Sequence, residues 1–131
     1  MDALPISIMV ADDDVDSLRT LEEALMFNGF NVTGFADPRQ ALAHHDPGGF
    51  DAAILDYKMP EMNGIELLQE LKKLKPNLVV VIVTGQLDDR IQAEAMKCGA
   101  TDFFYKPIDF CRLMAVLNRV KGGGNQEPNG G

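Results

Sequence analysis

The sequence feature that most constrains the fold is a short apolar run that ends at a carboxylate. Residues 52–55 are all apolar, and Asp56 follows them directly. A continuous apolar run of this length is typical of a strand that is buried on both faces of a parallel sheet. Ligands of such sheets bind beyond the carboxyl ends of the strands, where Asp56 would lie. The alternative is that Asp56 only begins the turn before Pro60, because Asp is common in turns.

Three further runs also lead into polar residues. They are residues 6–10, which precede Asp12, Asp13 and Asp14; residues 78–83, which precede Thr84 and Gly85; and Asp102–Tyr105, which precedes Lys106 and Pro107. If these strands lie parallel, carboxylates, a hydroxyl and an ammonium gather at one edge of the sheet. Clustered carboxylates repel one another, and Mg²⁺, which prefers oxygen ligands, relieves that repulsion. A metal, a nucleophilic carboxylate, a hydroxyl and a lysine are the groups that phosphoryl transfer needs.

The segments between these runs have the spacing of amphipathic helices. Helices are predicted over Val15–Phe27, after Asp37-Pro38 through Ala43, after Asn63-Gly64, over Asp89–Lys97 and after Asp109, with an alternating second strand at residues 30–35. The resulting five β–α units have short connections, which predicts right-handed crossovers and helices on both faces of the sheet. His44 and His45 are predicted to lie on the solvated surface of the last turn of the second helix.

The order and spacing of the motifs resemble the response-regulator receiver domain of two-component signalling. The motifs are Asp12-Asp13, Leu55-Asp56-x-x-Met59-Pro60-x-Met62-Asn63-Gly64, Thr84-Gly85 and Lys106-Pro107. The resemblance extends over residues 7–120 and implies a single α/β domain with a doubly wound, flavodoxin-like sheet. That sheet would have five parallel strands in the order 2-1-3-4-5. We expect the receiver domain to occupy residues 1–121, and the Gly-rich residues 122–131 to form a disordered tail.

The resemblance also implies a chemical role for each residue at the strand ends. Asp56 would accept a phosphoryl group, with Lys106 and Thr84 completing the catalytic set. Mg²⁺ would be the cofactor, and its ligands would be Asp13, Asp56, the backbone carbonyl of Lys58 and, through water, Asp12. Structural alternatives exist, since Asp12 and Asp13 could cap the first helix, Thr84 could satisfy backbone groups and Lys106 could be a surface ammonium. Because the metal pair of the family matches the first two Asp residues, Asp14 is expected to be the helix cap or a solvated acid of the first turn.

Further roles concern the switch and the lifetime of the phosphoryl group. By resemblance, Thr84 and Phe103 are the switch residues, and the peptide bond before Pro107 is cis. Phe103 lacks a polar group that would face water, so we expect it to favour an inward position. Lys58 and Gln86 flank the approach of the hydrolysing water. An ammonium has no lone pair with which to orient water, so we expect slow hydrolysis.

Composition limits the partners of the chain. The formal net charge of −8 argues against direct contact with nucleic acid or an anionic membrane. Neither a signal peptide nor an apolar run of membrane-spanning length is recognisable, so we expect a cytoplasmic protein with free thiols at Cys98 and Cys111. By resemblance, the phosphodonor is a histidine kinase or a phosphotransfer protein. An output partner, or a second copy after phosphorylation, would bind the surface of the fourth helix, fifth strand and fifth helix.

Three other function classes share features with this sequence. A haloacid dehalogenase-type phosphatase needs a second Asp two residues after the nucleophile, where this chain has Lys58. A flavodoxin-like electron carrier needs a phosphate-binding loop rich in Ser, Thr and Gly after the first strand, and none follows it. A receiver-like interaction module that works without phosphorylation is the main rival, although such modules usually lack one of the acids or the lysine. The chain is expected to accept and slowly lose a phosphoryl group rather than to act as an enzyme.

Overall fold

The computed structural model describes residues 5–44 and 49–123 of the 131-residue chain. Strands and helices alternate from one end to the other. They are β1 (Ser7–Ala11), α1 (Val15–Phe27), β2 (Asn31–Phe35), α2 (Pro38–Ala43), β3 (Ala52–Asp56), α3 (Gly64–Leu74), β4 (Val79–Thr84), α4 (Asp89–Lys97), β5 (Asp102–Tyr105) and α5 (Phe110–Gly123). The predicted α/β alternation is therefore confirmed.

The strands form one sheet in the order β2-β1-β3-β4-β5, and every neighbouring pair is parallel. This is the order that the resemblance implied. The chain moves outward from β1 to β2 and then returns past β1 to β3. The reversal places a crevice between the carboxyl ends of β1 and β3, which is where ligands of doubly wound sheets bind.

Apolar side chains alternate between the two faces of the sheet and build two separate cores. On one face, which we call the three-helix face, Met9, Leu55 and Ile82 pack under helices α2, α3 and α4. On the other, the two-helix face, Ile54 and Val83 pack with Leu18 and Leu25 of α1 and with Leu113, Val116 and Leu117 of α5. The strands are thus covered on both sides, which explains why their sequences are nearly continuous apolar runs.

Each of the five helices begins at a short polar side chain that accepts a backbone N–H. These residues, which we call the helix-cap set, are Asp14, Asp37, Asn63, Asp88 and Asp109. Asn63 forms a complete capping box with Glu66, in which each side chain accepts the other residue's backbone N–H at 2.9 Å. Helices α1 and α4 are followed by Gly29 and Gly99, whose φ angles of 90° and 106° favour glycine.

The second strand is confirmed, but the residue after α2 differs from the prediction. Strand β2 lies at the sheet edge, and the four residues after exposed Asn31 are all half-buried. His44 was predicted to lie on the surface of the last helical turn, and this was wrong. Helix α2 ends at Ala43, and the half-buried His44 ring lies 5.5 Å from the rings of both Phe35 and Phe50. The prediction for His45 falls outside the described residues.

The last helix extends further than expected. Helix α5 continues through Gly122 to Gly123, the first two residues of the predicted tail. The remainder of that tail, residues 124–131, lies outside the described part of the chain.

Candidate functional site

Four strands deliver polar side chains to the same edge of the sheet. Asp12 follows β1, Asp56 and Thr84 are the last residues of β3 and β4, and Lys106 follows β5. The exposed fractions of Asp12, Asp56 and Thr84 are 7%, 9% and 1%. The structure therefore brings together the residues that were predicted at the strand ends, and it buries three of them.

The ammonium of Lys106 lies between two carboxylates. Its Nζ is 3.1 Å from Asp56 Oδ1 and 3.3 Å from Asp12 Oδ2. The Lys106–Pro107 peptide bond is cis, as the resemblance implied, and the Lys106 amide donates to the Thr84 carbonyl at 2.8 Å. Burial lowers the pKa of Lys106, but the hydrogen bond to Asp56 and the charges of Asp56 and Asp12 outweigh it, so the pKa is raised. Lys106 is therefore a charged partner of both acids.

Three carboxylates, which we call the strand-end set, lie close enough to share one metal ion. Asp12, Asp13 and Asp56 each offer an oxygen, and these oxygens all lie within 4.8 Å of one another. Burial raises the pKa of Asp56 to about 6; the hydrogen bond from Lys106 opposes that rise, and the charges of Asp12 and Asp13 add to it. One ammonium cannot balance three carboxylates, and an oxygen-only donor set is the one that Mg²⁺ prefers. These residues fit a magnesium site.

The acidic triplet divides between this set and the first helix cap. Asp14 accepts the N–H groups of Asp16 and Ser17 at 3.0 and 3.3 Å, so it caps α1 as expected. Asp12 Oδ1 instead accepts the Asp14 N–H at 2.9 Å, which orients its other oxygen toward Lys106. Asp12 is thus held as a site residue and does not cap the helix.

The two proposed switch residues lie on the β4 and β5 side of this cluster. The Thr84 hydroxyl accepts the Gln86 N–H at 3.1 Å. Phe103 is 3% exposed and packs into the three-helix face, where its ring meets that of Tyr105 edge-on at 5.2 Å. Phe104 points to the opposite face and is equally buried. The inward position that we expected for Phe103 is therefore the one in this structure.

The identity of the domain follows from comparison with known proteins. A family model for the response regulator receiver domain matches residues 8–118. The chain belongs to this family. It is similar to the chemotaxis protein CheY of Thermotoga maritima, with 31% identity over 114 residues, which cover 86% of this chain and 95% of CheY. Receiver domains are the response-regulator modules of two-component systems.

Two further proteins extend the comparison. The transcriptional regulatory protein ZraR of Escherichia coli K12 is 39% identical over 115 residues, covering 88% of this chain and 26% of ZraR. The chain thus spans about a quarter of the length of that relative. A BeF3-activated receiver domain of DrrB from Thermotoga maritima superposes with a TM-score of 0.81 at 27% identity, covering 89% of this chain and 97% of that one.

The two residues that were predicted to affect the lifetime of the phosphoryl group lie on loops next to the site. Lys58 and Gln86 are both exposed, the first in the β3–α3 loop and the second in the β4–α4 loop. The hydrogen bond from the Gln86 backbone N–H to Thr84 links the β4–α4 loop to the Thr84 hydroxyl. Their effect on hydrolysis stays a prediction.

An apolar cavity adjoins the receiver site on the two-helix face. It has a volume of about 440 Å³ and lies between α1 and the segment that leads into α5. Val10, Ile54 and Val83 contribute to its lining, and Asp56 and Lys106 border it. In the described residues, 5–44 and 49–123, none of the helices combines the length and the apolar character needed to span a membrane.

Sequence reasoning missed three structural features of this receiver site. A Cβ on Gly64 would lie 2.5 Å from the Asp56 carbonyl oxygen, so only glycine lets α3 begin this close to the end of β3. The backbone of Glu61 adopts a φ of 73°, which is uncommon for a residue other than glycine. Arg112 of α5 donates hydrogen bonds to Asp102 and to the Phe103 carbonyl of β5. The Asn63-Gly64 motif signalled the first feature, but no local pattern indicates the other two.

Proposed function

We propose that this receiver domain is a phosphorylation switch, in which Asp56 accepts a phosphoryl group in the presence of Mg²⁺. The observation that carries the proposal is the pairing of a buried acceptor carboxylate with Lys106, inside a cluster of three acids. The similarity to a DrrB receiver domain described as BeF3-activated supports it. Nothing that the chemistry requires of the protein is missing from the strand ends, which argues against an interaction module that works without phosphorylation.

The strand-end set would hold the metal ion. Asp13, Asp56 and the Lys58 carbonyl would be ligands, and Asp12 would act through a water molecule. When bound, Mg²⁺ supplies positive charge that stabilises the oxygens of the transferring phosphoryl group. The three acids also have to be ionised for this purpose, and Lys106 helps to keep Asp56 charged.

The protein's own residues then do the positioning. One Asp56 oxygen forms a bond to phosphorus as the phosphorus–nitrogen bond of the donor's phosphohistidine breaks, and the leaving nitrogen keeps the electron pair. Lys106, which already lies 3.1 Å from Asp56, pairs with an oxygen of the group as it arrives. Catalysis of this kind depends on positioning and electrostatic stabilisation, and residues other than Asp56 form no covalent bond to the phosphoryl group. The product is an acyl phosphate that carries nearly two negative charges.

The switch would start at Thr84. Its oxygen accepts the Gln86 N–H, so the hydroxyl hydrogen can be donated to a phosphoryl oxygen, and movement of Thr84 would carry the β4–α4 loop with it. Phe103 already occupies the inward position in this structure. We therefore propose that the unphosphorylated protein is biased toward its active form.

Partners follow from the site and the faces around it. The phosphodonor would be a histidine kinase or a phosphotransfer protein in the cytoplasm. The output partner, or a second copy of this chain after phosphorylation, would bind the surface of α4, β5 and α5. With a net charge of −8, the domain would make no direct contact with nucleic acid or membrane. It would release its phosphoryl group slowly because Lys58 cannot orient a hydrolysing water.

The decisive experiment measures modification of Asp56. The full chain is incubated with acetyl phosphate, with and without Mg²⁺, and its intact mass is recorded. We expect one phosphoryl group on the wild type with Mg²⁺ only, and none on Asp56→Ala. Asp37→Ala is the matched control, because it removes a carboxylate of the helix-cap set and should still be phosphorylated. A wild type that stays unmodified and does not bind beryllofluoride with Mg²⁺ would favour the interaction module.

A further inference from the structure

One arginine of the last helix contacts three consecutive residues of the last strand, two through hydrogen bonds and one through an aromatic ring. Arg112 Nη2 lies 2.7 Å from Asp102 Oδ1 and donates to the Phe103 carbonyl at 3.0 Å. The guanidinium carbon also lies 4.0 Å from the centre of the Phe104 ring. Asp102 Oδ1 accepts the Phe103 N–H at 2.7 Å as well, so both backbone polar groups of Phe103 are fixed by these two side chains.

These bonds close the segment of chain that carries Lys106. The chain leaves β5 at Tyr105, passes through Lys106 and enters α5, where the Arg112 amide is itself held by Asp109 at 3.1 Å. Arg112 then bonds back to the start of β5, so residues 102–112 form a loop with a fixed base. Fixing the ends of a loop restricts the positions that its middle can adopt. Lys106 lies in the middle of this loop.

Two further arginine–aspartate pairs in the part of the chain that the structure describes are of a different kind. Arg39 and Arg90 bond to Asp37 and Asp88, two residues earlier and within the same helix start. Such local pairs hold no intervening segment, whereas Arg112 and Asp102 belong to two elements. The Arg112 side chain is half exposed, but it makes three kinds of contact at once.

We propose that Arg112 is a positioning residue for phosphoryl transfer, which acts by closing the 102–112 loop and so holds the Lys106 ammonium against Asp56 and Asp12. This inference rests on the proposed function, in which Lys106 stabilises the arriving phosphoryl group. Small displacements of a charged group at a reacting centre cost rate, since transfer depends on position. Arg112 itself would touch neither the donor nor the phosphoryl group.

The test uses the full chain with Arg112→Ala, and Arg39→Ala as the matched control, because both changes remove the arginine of an exposed arginine–aspartate pair. The first measurement is hydrogen exchange of the Lys106 ammonium by nitrogen-15 NMR without donor. The second is the rate of phosphorylation by acetyl phosphate with Mg²⁺. For Arg112→Ala we expect exchange about threefold faster and phosphorylation about threefold to fivefold slower, in the range for a partly exposed ion pair. Arg39→Ala should match the wild type in both.

The outcomes separate this inference from the proposed function. Unchanged Lys106 exchange in Arg112→Ala would overturn the inference, whatever the phosphorylation rate. Faster exchange with an unchanged rate would also overturn it, because the position of Lys106 would then have no consequence. A wild type that is neither phosphorylated nor able to bind beryllofluoride with Mg²⁺ would refute the proposed function, while the exchange measurement would still decide whether Arg112 holds Lys106. If Arg112→Ala does not fold, Asp102→Asn serves instead, and a smaller change in the same direction is expected.

Discussion

Two sets of polar side chains share the carboxyl edge of the sheet. Their environments shift the pKa values of aspartate carboxyls in opposite directions. In the helix-cap set, hydrogen bonds from the Arg39 side chain and amide lower the pKa of Asp37, and those from Arg90 lower the pKa of Asp88. In the strand-end set, burial raises the pKa of Asp56 to about 6. The first set accepts the free N–H groups of helix starts, and the second lies at the ends of buried strands.

The difference shows how this fold separates stability from function. A helix-cap carboxylate is satisfied by its own chain, so its charge stabilises the folded state. A strand-end carboxylate lies close to other acids, so its ionisation costs free energy. Carboxylates in such surroundings are typical of functional sites, where a bound cation offsets that cost. The five helices can therefore start beside the site without competing for its acids.

The largest predicted effect is on the pH dependence of stability without Mg²⁺. Because folding raises the pKa of Asp56 from 3.8 to about 6, the folded state favours the protonated carboxyl. The resulting stabilisation is complete below about pH 4 and is lost as the pH rises through about 6. Asp56→Asn should therefore be more stable than the wild type at pH 7, with an unfolding free energy about 2–3 kcal/mol higher. Near pH 4 the two proteins should be equally stable.

Urea unfolding at several pH values measures this, and a helix cap provides the control. The lowered pKa of Asp37 has the opposite sign, so its stabilisation is present above its unfolded pKa and is lost as the pH falls. The difference in unfolding free energy between the wild type and Asp37→Asn should therefore become smaller as the pH falls. If Asp56→Asn is less stable than the wild type at pH 7, the strand-end set is not under electrostatic strain.

Magnesium should relieve the same strain. Millimolar Mg²⁺ should raise the unfolding free energy by roughly 1–3 kcal/mol at ten to a hundred times the dissociation constant. Asp13→Asn should remove most of this gain, because Asp13 is the exposed member of the oxygen cluster. Asp88→Asn, in the helix-cap set, should retain it. Melting curves with and without Mg²⁺ decide the matter, and a wild-type curve that Mg²⁺ does not move would contradict the site.

Lys58, an exposed side chain beside the strand-end set, is expected to affect the rate at which Asp56 loses its phosphoryl group. An amide in its place can accept a hydrogen bond from water, which an ammonium cannot. Lys58→Asn should speed loss of the phosphoryl group by about tenfold, equivalent to roughly 1.4 kcal/mol of barrier. The decay is followed in the isolated chain with Mg²⁺ and without a phosphatase. Unchanged or slower decay would make Lys58 only a surface charge.

The strand-end set could be predicted from the sequence because its logic is local. Each run of apolar residues marks a buried strand, and parallel strands bring their carboxyl ends together whatever their order. The order itself required the resemblance, since alternation of strands and helices is compatible with several arrangements. The division of the acidic triplet also required the resemblance, because from the residues alone any of the three acids could cap α1, and the structure shows Asp14 as the cap.

Contacts between distant elements could not be predicted in this way. Arg112 meets Asp102 because α5 crosses the sheet at a particular angle, which no residue pattern in either element specifies. His44 meets Phe35 and Phe50 from the position directly after α2, which ends at Ala43, and not from the last helical turn where the sequence placed it. Such contacts depend on where helices end and how they lie on the sheet, and those features are decided by packing of the whole core.

The smallest predicted effect removes a helix cap and leaves the strand-end set intact. Asn63→Ala deletes the acceptor for the Glu66 N–H and one half of the capping box of α3. The loss should lower the unfolding free energy by about 1 kcal/mol. The added stability with Mg²⁺ should stay at its wild-type value, since Asn63 contributes no oxygen to the acid cluster. Asn63→Asp is the control, because Asp caps helices as well as Asn does and should preserve stability. If Asn63→Ala also abolishes the Mg²⁺ effect, the two sets are coupled through the β3–α3 loop, and their separation at this edge is not as complete as the hydrogen bonds indicate.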